Sequence, residues 1–263
     1  MSRVTAPSPW VLGSRPDARR LLRLFCFPYA GGAASAFRLW GGALAPEVEV
    51  CPVQLPGRGS RFRETPFRNA TELVAAAADG LRPMMDVPFA LFGHSMGAVV
   101  AFELARELRR RSWPCPVLLI VSGRQAPPRP SPLPPFGHLP DPEFLREVCA
   151  RYDNIPDEVL AEDELLQLVL PALRADILVL ETHPYARELP LDCPISCFGG
   201  QEDRHVSRED LESWAEHTRA GSKVRIFPGR HFFIDSAREA VWRALREDLS
   251  PWTTVRAAAS ATP

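Results

Sequence analysis

The 263-residue chain has no run long and apolar enough to cross a bilayer, and its first twenty residues, MSRVTAPSPWVLGSRPDARR, hold no apolar segment of the kind that opens a secretion signal. No membrane association is expected, and the protein is expected in the cytoplasm. An excess of one charge is also missing, since 31 Lys plus Arg stand against 32 Asp plus Glu. A net charge of -1 offers no general attraction to a phosphate backbone, and the arginine clusters fall in no nucleic-acid motif, so nucleic acid is not an expected partner. The six cysteines contain no C-x-x-C pair. In "CPISC" Cys193 and Cys197 lack a second ligand pair at zinc-like spacing, so reduced, buried thiols and no metal are expected. Internal repeats are absent. What is present is 46% apolar and 24% charged, the balance of a folded globular chain, and the length suits one α/β domain with room for an insertion.

Short β-rich runs alternate with longer amphipathic ones, the pattern of βαβ units on a parallel sheet. Strands are predicted at 22–27, 48–53, 89–93, 116–123, 194–199 and 223–228. Helical spacing marks "ATELVAAAADGLRPMM", "GAVVAFELARELRRR", "SREDLESWAEHTRA" and "DSAREAVWRALREDL". Ser207 and Asp235 stand at cap positions, but Asp210 and Arg238 three residues later are not the Glu or Gln of a full capping box. Between 124 and 193 the strand rhythm stops. A proline-rich stretch leads into helical material there, and at ~70 residues it is far longer than an ordinary crossover. A helical lid at about 124–193 is the expectation, inside a single domain over 1–250, with 251–263 as a flexible tail.

The segment "FGHSMGA" places Ser95 between Gly93 and Gly97, after the strand "FALFG" and before a helix. A G-x-S-x-G match arises by chance only ~0.06 times in a chain of this make-up, and the strand-to-helix context strengthens it. Ser95 would then sit on a sharp turn at a helix N-terminus, where amide groups favour negative charge. An oxyanion hole needs the amide after the nucleophile, Met96, and a second from the loop after an earlier strand. "FPYAGGAAS" supplies that loop, with Ala30 as the candidate donor.

A serine needs a base to take its proton and a carboxylate to hold that base. His231 follows the last strand in "FPGRHFFID", where the order Ser, acid, His puts it. His94 adjoins Ser95 and is read as packing beside the turn; His138, His183, His205 and His217 are assigned surface or packing roles. For the acid, "CFGGQEDRHVS" offers Glu202 and Asp203, of which Asp203 is preferred as the shorter carboxylate just ahead of a helix.

Together "FCFPYAGGAAS", "VQLPGRGSRFRE", "LFGHSMGA", "LPALRADILVLETHPY" and "FPGRHFFI" closely resemble the type II thioesterases that accompany polyketide and nonribosomal peptide synthases. The resemblance covers residues 22 to 249 and implies an α/β-hydrolase fold: a mostly parallel central sheet flanked by helices, with a helical lid. It implies hydrolysis of acyl thioesters on the phosphopantetheine arm of an acyl or peptidyl carrier protein, clearing stalled or misprimed units, by a chain acting as a monomer without metal or dissociable cofactor. Carried across, Ser95, Asp203 and His231 are the catalytic set, and Ala30 and Met96 the oxyanion donors. The sequence departs from the family at Arg230, where glycine is common, and at Arg204, where proline is common. Arg58, Arg61, Arg63 and Arg68 form a basic stretch that either meets the carrier or is simply solvated. A general carboxylesterase, an acyltransferase and a non-catalytic carrier-binding module are the competing readings.

Overall fold

A computed structural model describes residues 8–13, 21–128, 134–151 and 162–259. Six strands, β1 (Leu22–Phe27), β2 (Val48–Pro52), β3 (Phe89–His94), β4 (Leu118–Ser122), β5 (Ile195–Gly200) and β6 (Ser222–Phe227), form one sheet in the order β2-β1-β3-β4-β5-β6. Every neighbouring pair is parallel. The first five strands are buried along their length, as a parallel sheet covered on both faces demands, and only the edge strand β6 is partly exposed.

Alternation along each strand divides the core. Leu22, Leu24 and Cys26 of β1 belong to one apolar cluster, Phe25 and Phe27 to the other. The described helices are α1 (Trp40–Leu44), α2 (Ala70–Leu81), α3 (Met96–Arg110), α4 (Asp141–Arg151), α5 (Asp163–Glu181), α6 (Arg208–Glu212), α7 (Phe233–Ser236) and α8 (Arg238–Ala259). The first cluster takes in α1 and α8 through Trp40, Leu44, Val241 and Leu245. The second takes in α2 and α3, and also α4 through Phe144 and Val148 and α5 through Leu170, Leu173 and Ile177. The two described helices between β4 and β5 therefore pack onto the same apolar body as α2 and α3. The rest of that insertion, residues 129–133 and 152–161, lies outside the described residues.

The strands fall within two residues of their predicted ends; the helices differ more. The stretch 207–220 divides into α6 and a 3-10 turn over Ser213–His217. Ser207 does close a capping box, because the Asp210 carboxylate accepts from the Ser207 amide at 2.9 Å and so does the work expected only of Glu or Gln. Asp235 lies inside α7 rather than capping a helix. The last helix runs through Pro251 to Ala259, well into the segment expected as a tail. Cys193 and Cys197 are buried, and burial pushes both thiols up to about 12, whereas Cys115 and Cys149 are exposed.

Of the buried imidazoles, two are hydrogen-bonded to uncharged partners, His94 and His217. His94 ends β3 with its Nδ1 2.9 Å from Ser122 Oγ, and His217 donates from Nε2 to the Pro127 carbonyl at 2.6 Å. Burial lowers the pKa of both, that of His94 by far the more, with the neighbouring His231 adding to the effect on His94. Below about pH 6.5 the unfolded chain protonates both rings while the folded chain still excludes the protons. Stability is therefore lost as pH falls from about 6.5 toward the depressed native values, by at most about 1.4 kcal/mol per pH unit for His94, and by less for His217, where solvent screens the ring. Melting temperatures measured from pH 8 to pH 5 should fall on the acid side. His94→Asn should start lower at pH 8 and lose less on acidification; an unchanged acid slope would place the sensitivity in other groups.

Candidate active site

Strand order reverses at β1, since β2 lies on one side of it and β3 on the other. Loops leaving the carboxyl ends of β1 and β3 part there, which opens a crevice of the kind where α/β sheets bind ligands. Ser95 joins β3 to α3 at this point with φ 53° and ψ -113°, a conformation that side-chain-bearing residues rarely adopt. Its amide donates to the Ser122 carbonyl at 2.8 Å. The two glycines are needed for close approach. A side-chain carbon at Gly93 would lie 2.0 Å from the Gly97 oxygen, and one at Gly97 would lie 2.2 Å from the Phe27 oxygen. The second contact presses the start of α3 against the end of β1, which brings the Tyr29–Gly32 loop beside the serine.

The loops after β5 and β6 bring the other predicted residues together. His231 Nδ1 lies 2.8 Å from Asp203 Oδ2, and the Asp203 side chain has no exposed surface. The second carboxylate oxygen, Oδ1, accepts from the His205 amide at 2.9 Å. Asp203 is thus the carboxylate in contact with His231, while Glu202 is exposed. Against His231 lie the rings of His94 at 5.1 Å and His205 at 6.2 Å between centroids. His205, expected as a packing or surface residue, therefore sits within this cluster; His183 instead pairs with Glu103 at 3.0 Å, and His138 is exposed.

Gly123 completes the floor, a role its sequence context did not reveal. A carbon added there would meet His94 Cε1 at 2.8 Å and His231 Cε1 at 3.3 Å. Because Gly123 directly follows Ser122, whose carbonyl holds the Ser95 amide, one short segment braces the serine turn and both imidazoles. Arg204 and Arg230 leave the His231–Asp203 bond intact and line a cleft of about 430 Å³ with those two residues, adding positive charge at its wall.

Met96 is the first residue of α3, so its amide is one of the four that a helix leaves without an intrahelical acceptor. Ala30 is buried in the loop after β1, next to Gly31 at φ 75°. The structure corrects the reading of Arg58. It is buried, and its guanidinium engages Asp176 of α5 through two bonds, Nη1 to Oδ2 at 2.5 Å and Nη2 to Oδ1 at 2.7 Å. Arg61 bonds Glu64 and stacks on Trp10. Of the basic stretch, Arg63 and Arg68 face outward. A cavity of about 460 Å³ lies beside the inserted helices, walled by Val99 and Phe102 of α3, Ile177 and Trp214, with the polar Arg124 and Glu181 also on its wall. Val99 stands one helical turn beyond Ser95.

The family model for the thioesterase domain matches residues 22–249. The gramicidin S biosynthesis protein GrsT of Aneurinibacillus migulanus is 40% identical over 255 residues, 95% of this chain and 99% of GrsT. Among solved structures, the RedJ thioesterase from the prodiginine pathway of Streptomyces coelicolor superposes with a TM-score of 0.80 at 36% identity, over 90% of this chain and 91% of RedJ. The type II thioesterase BorB from the borrelidin cluster also gives 0.80, at 34% identity over 92% of this chain and 96% of BorB. Similarity that spans the sheet, the serine turn and the inserted helices in full-length relatives identifies more than a shared scaffold: the chain belongs to the thioesterase family, as a thioester hydrolase of the type II group.

Proposed function

We propose that Ser95, His231 and Asp203 are the catalytic residues of a serine thioesterase that releases acyl groups from the phosphopantetheine thiol of a carrier protein. The observation that carries this reading is the 2.8 Å bond between the buried side chains of His231 and Asp203, beside a serine held at φ 53°. A buried carboxylate on Nδ1 keeps the proton on that nitrogen and leaves Nε2 as the base.

In the reaction so inferred, Ser95 Oγ attacks the thioester carbonyl carbon while its proton passes to His231 Nε2. The carbonyl electrons move onto oxygen, where the Ala30 and Met96 amides receive the charge. As the tetrahedral intermediate collapses, the carbon–sulfur bond breaks and the thiol leaves with the proton from the imidazolium. Water then gives a proton to His231 and attacks the acyl-enzyme, and a second collapse frees the carboxylic acid and restores the Ser95 hydroxyl. Asp203 stabilises the imidazolium in both halves. The scheme asks for no metal and no dissociable cofactor, because the pantetheine arm arrives with the substrate.

GrsT, RedJ and BorB carry names that tie those proteins to the biosynthesis of gramicidin S, prodiginine and borrelidin. By this likeness the substrate is an acyl or peptidyl group on a synthase carrier domain, the role is the removal of stalled or misprimed units, and one copy of the chain meets its carrier in the cytoplasm. The acyl chain is assigned to the 460 Å³ cavity, whose wall runs along α3 from Val99 to Phe102.

Thiol release from an acyl-pantetheine or acyl-carrier substrate measures these roles. Ser95→Ala should lower kcat by roughly 10⁶-fold and Asp203→Asn by roughly 10⁴-fold, whereas Glu202→Gln should stay within about twofold of the parent; a dead Glu202→Gln beside an active Asp203→Asn would reverse the assignment of the acid. Matched acyl thioesters and oxygen esters, free and carrier-linked, separate the reading from a carboxylesterase. Carrier-linked thioesters should be hydrolysed at least tenfold faster, and a preference for free oxygen esters would sink the carrier role. Val99→Phe should shift the preferred acyl chain to a shorter one, at a cost of about 1–3 kcal/mol to the longer; an unshifted chain-length profile would place the acyl group elsewhere.

A further inference from the structure

We propose that Asp176 of α5 is a positioning residue for the oxyanion loop, so that seating of this inserted helix and readiness of the Ala30 donor are one event. The inference rests on the proposed thioesterase mechanism and adds to it a residue outside the catalytic set. Asp176 is 2% exposed, a carboxylate on the apolar side of α5 between Leu173 and Ile177. Its Oδ2 accepts from the Gly31 amide at 2.7 Å as well as from Arg58. Arg58 in turn donates from Nη1 to the Gly32 carbonyl at 3.1 Å and from Nε to the Pro56 carbonyl at 3.3 Å. Three segments distant in sequence, the loops after β1 and β2 and helix α5, thus converge on one carboxylate.

The grip falls on both sides of Gly31. Holding the Gly31 amide fixes the peptide plane between Ala30 and Gly31, and holding the Gly32 carbonyl fixes the plane after Gly32; the Gly32 amide then donates at 2.9 Å to the Tyr29 carbonyl, which shares its peptide plane with the Ala30 N–H. Leu173, one turn before Asp176, packs its Cδ1 3.1 Å from where a Gly31 side-chain carbon would be. The Ala30 donor is therefore as well placed as α5 is well seated. Ile177, the next residue, lines the cavity assigned to the acyl chain. An acyl group that fills that cavity supports α5, and through Asp176 it supports the oxyanion loop; a shift of about 1 Å in such a site is enough to cost ~10²-fold in rate.

Stability alone does not ask for this pair, because a buried ion pair replaced by apolar residues of like volume is often neutral or better, whereas removing one partner leaves a buried charge. The double variant Arg58→Met/Asp176→Leu exploits this. It should melt close to the parent temperature yet turn over a pantetheine thioester with kcat lowered roughly 30- to 100-fold and KM within threefold. An alkyl boronic acid, which forms a tetrahedral adduct on the serine, should bind this variant weaker by a similar factor. The boronate reads the oxyanion loop even if the parent protein proves inactive on thioesters, which would refute the proposed substrate and leave the positioning role to be decided by affinity. A double variant with parent kcat and parent boronate affinity would overturn the role. If it does not fold, Asp176→Asn answers the question, with about a tenfold loss in boronate affinity expected and parent affinity overturning it.

Discussion

The contact on which the rest of the site depends is between backbones: the Phe27 carbonyl at the end of β1 against Gly97 in the first turn of α3. No side chain fits between them, so the carboxyl end of one central strand and the helix leaving its neighbour are locked at van der Waals distance. Everything chemical follows from that lock. Ser95 is pushed into its positive-φ conformation as the chain reverses, and its amide is taken by Ser122 on β4. The loop after β1, having nowhere else to go, runs past the serine at the crevice where strand order reverses. The strain at one residue is held by the packed sheet on either side of it.

Electrostatics then separates two neighbouring imidazoles into different roles. His94 and His231 have ring centres 5.1 Å apart, and two cations could not share so dry a place. His94 is enclosed, with Tyr29, Phe232 and Phe233 around it, and burial holds it neutral. His231 has the Asp203 carboxylate, itself fixed by the His205 amide. One ring is bonded to a carboxylate, and the other, without one, is kept uncharged by its burial.

Much of this was legible in the sequence, for identifiable reasons. The first five strands are buried, so "FALFG" reads as a continuous apolar run and "LRLFCF" as one broken only by Arg23, which is buried against Glu49. Ser95, Asp203 and His231 each follow a strand, and loops after parallel strands collect at one end of a sheet. What was hidden depended on partners remote in the chain. Arg58 reads as a solvated or partner-facing charge because its neighbours are glycine, serine and arginine, yet its carboxylate lies 118 positions away. Asp176 carried a readable signal, a charge at helical spacing among Leu173, Ile177 and Leu180, which has to be exposed or paired; only the structure shows which. Gly123 could not be read as the floor of the site, since a glycine after a strand is unremarkable until two imidazoles are found against it.

The two amides proposed as oxyanion donors are built differently. Met96 opens a fifteen-residue helix that packs along the sheet, so its amide is as fixed as the helix itself. Ala30 stands in a loop whose next two residues are glycines, the most permissive backbone available, and such a loop gains a single conformation only from what surrounds it. Here the surroundings are Leu173, Asp176 and Arg58, two of them from an inserted helix rather than from the sheet. The Met96 amide belongs to the scaffold, whereas the Ala30 loop is held by a helix that also lines the 460 Å³ cavity. Under the proposed mechanism, selectivity for the acyl group acts on the chemical step through the loop amide, with Ser95, Asp203 and His231 left unmoved.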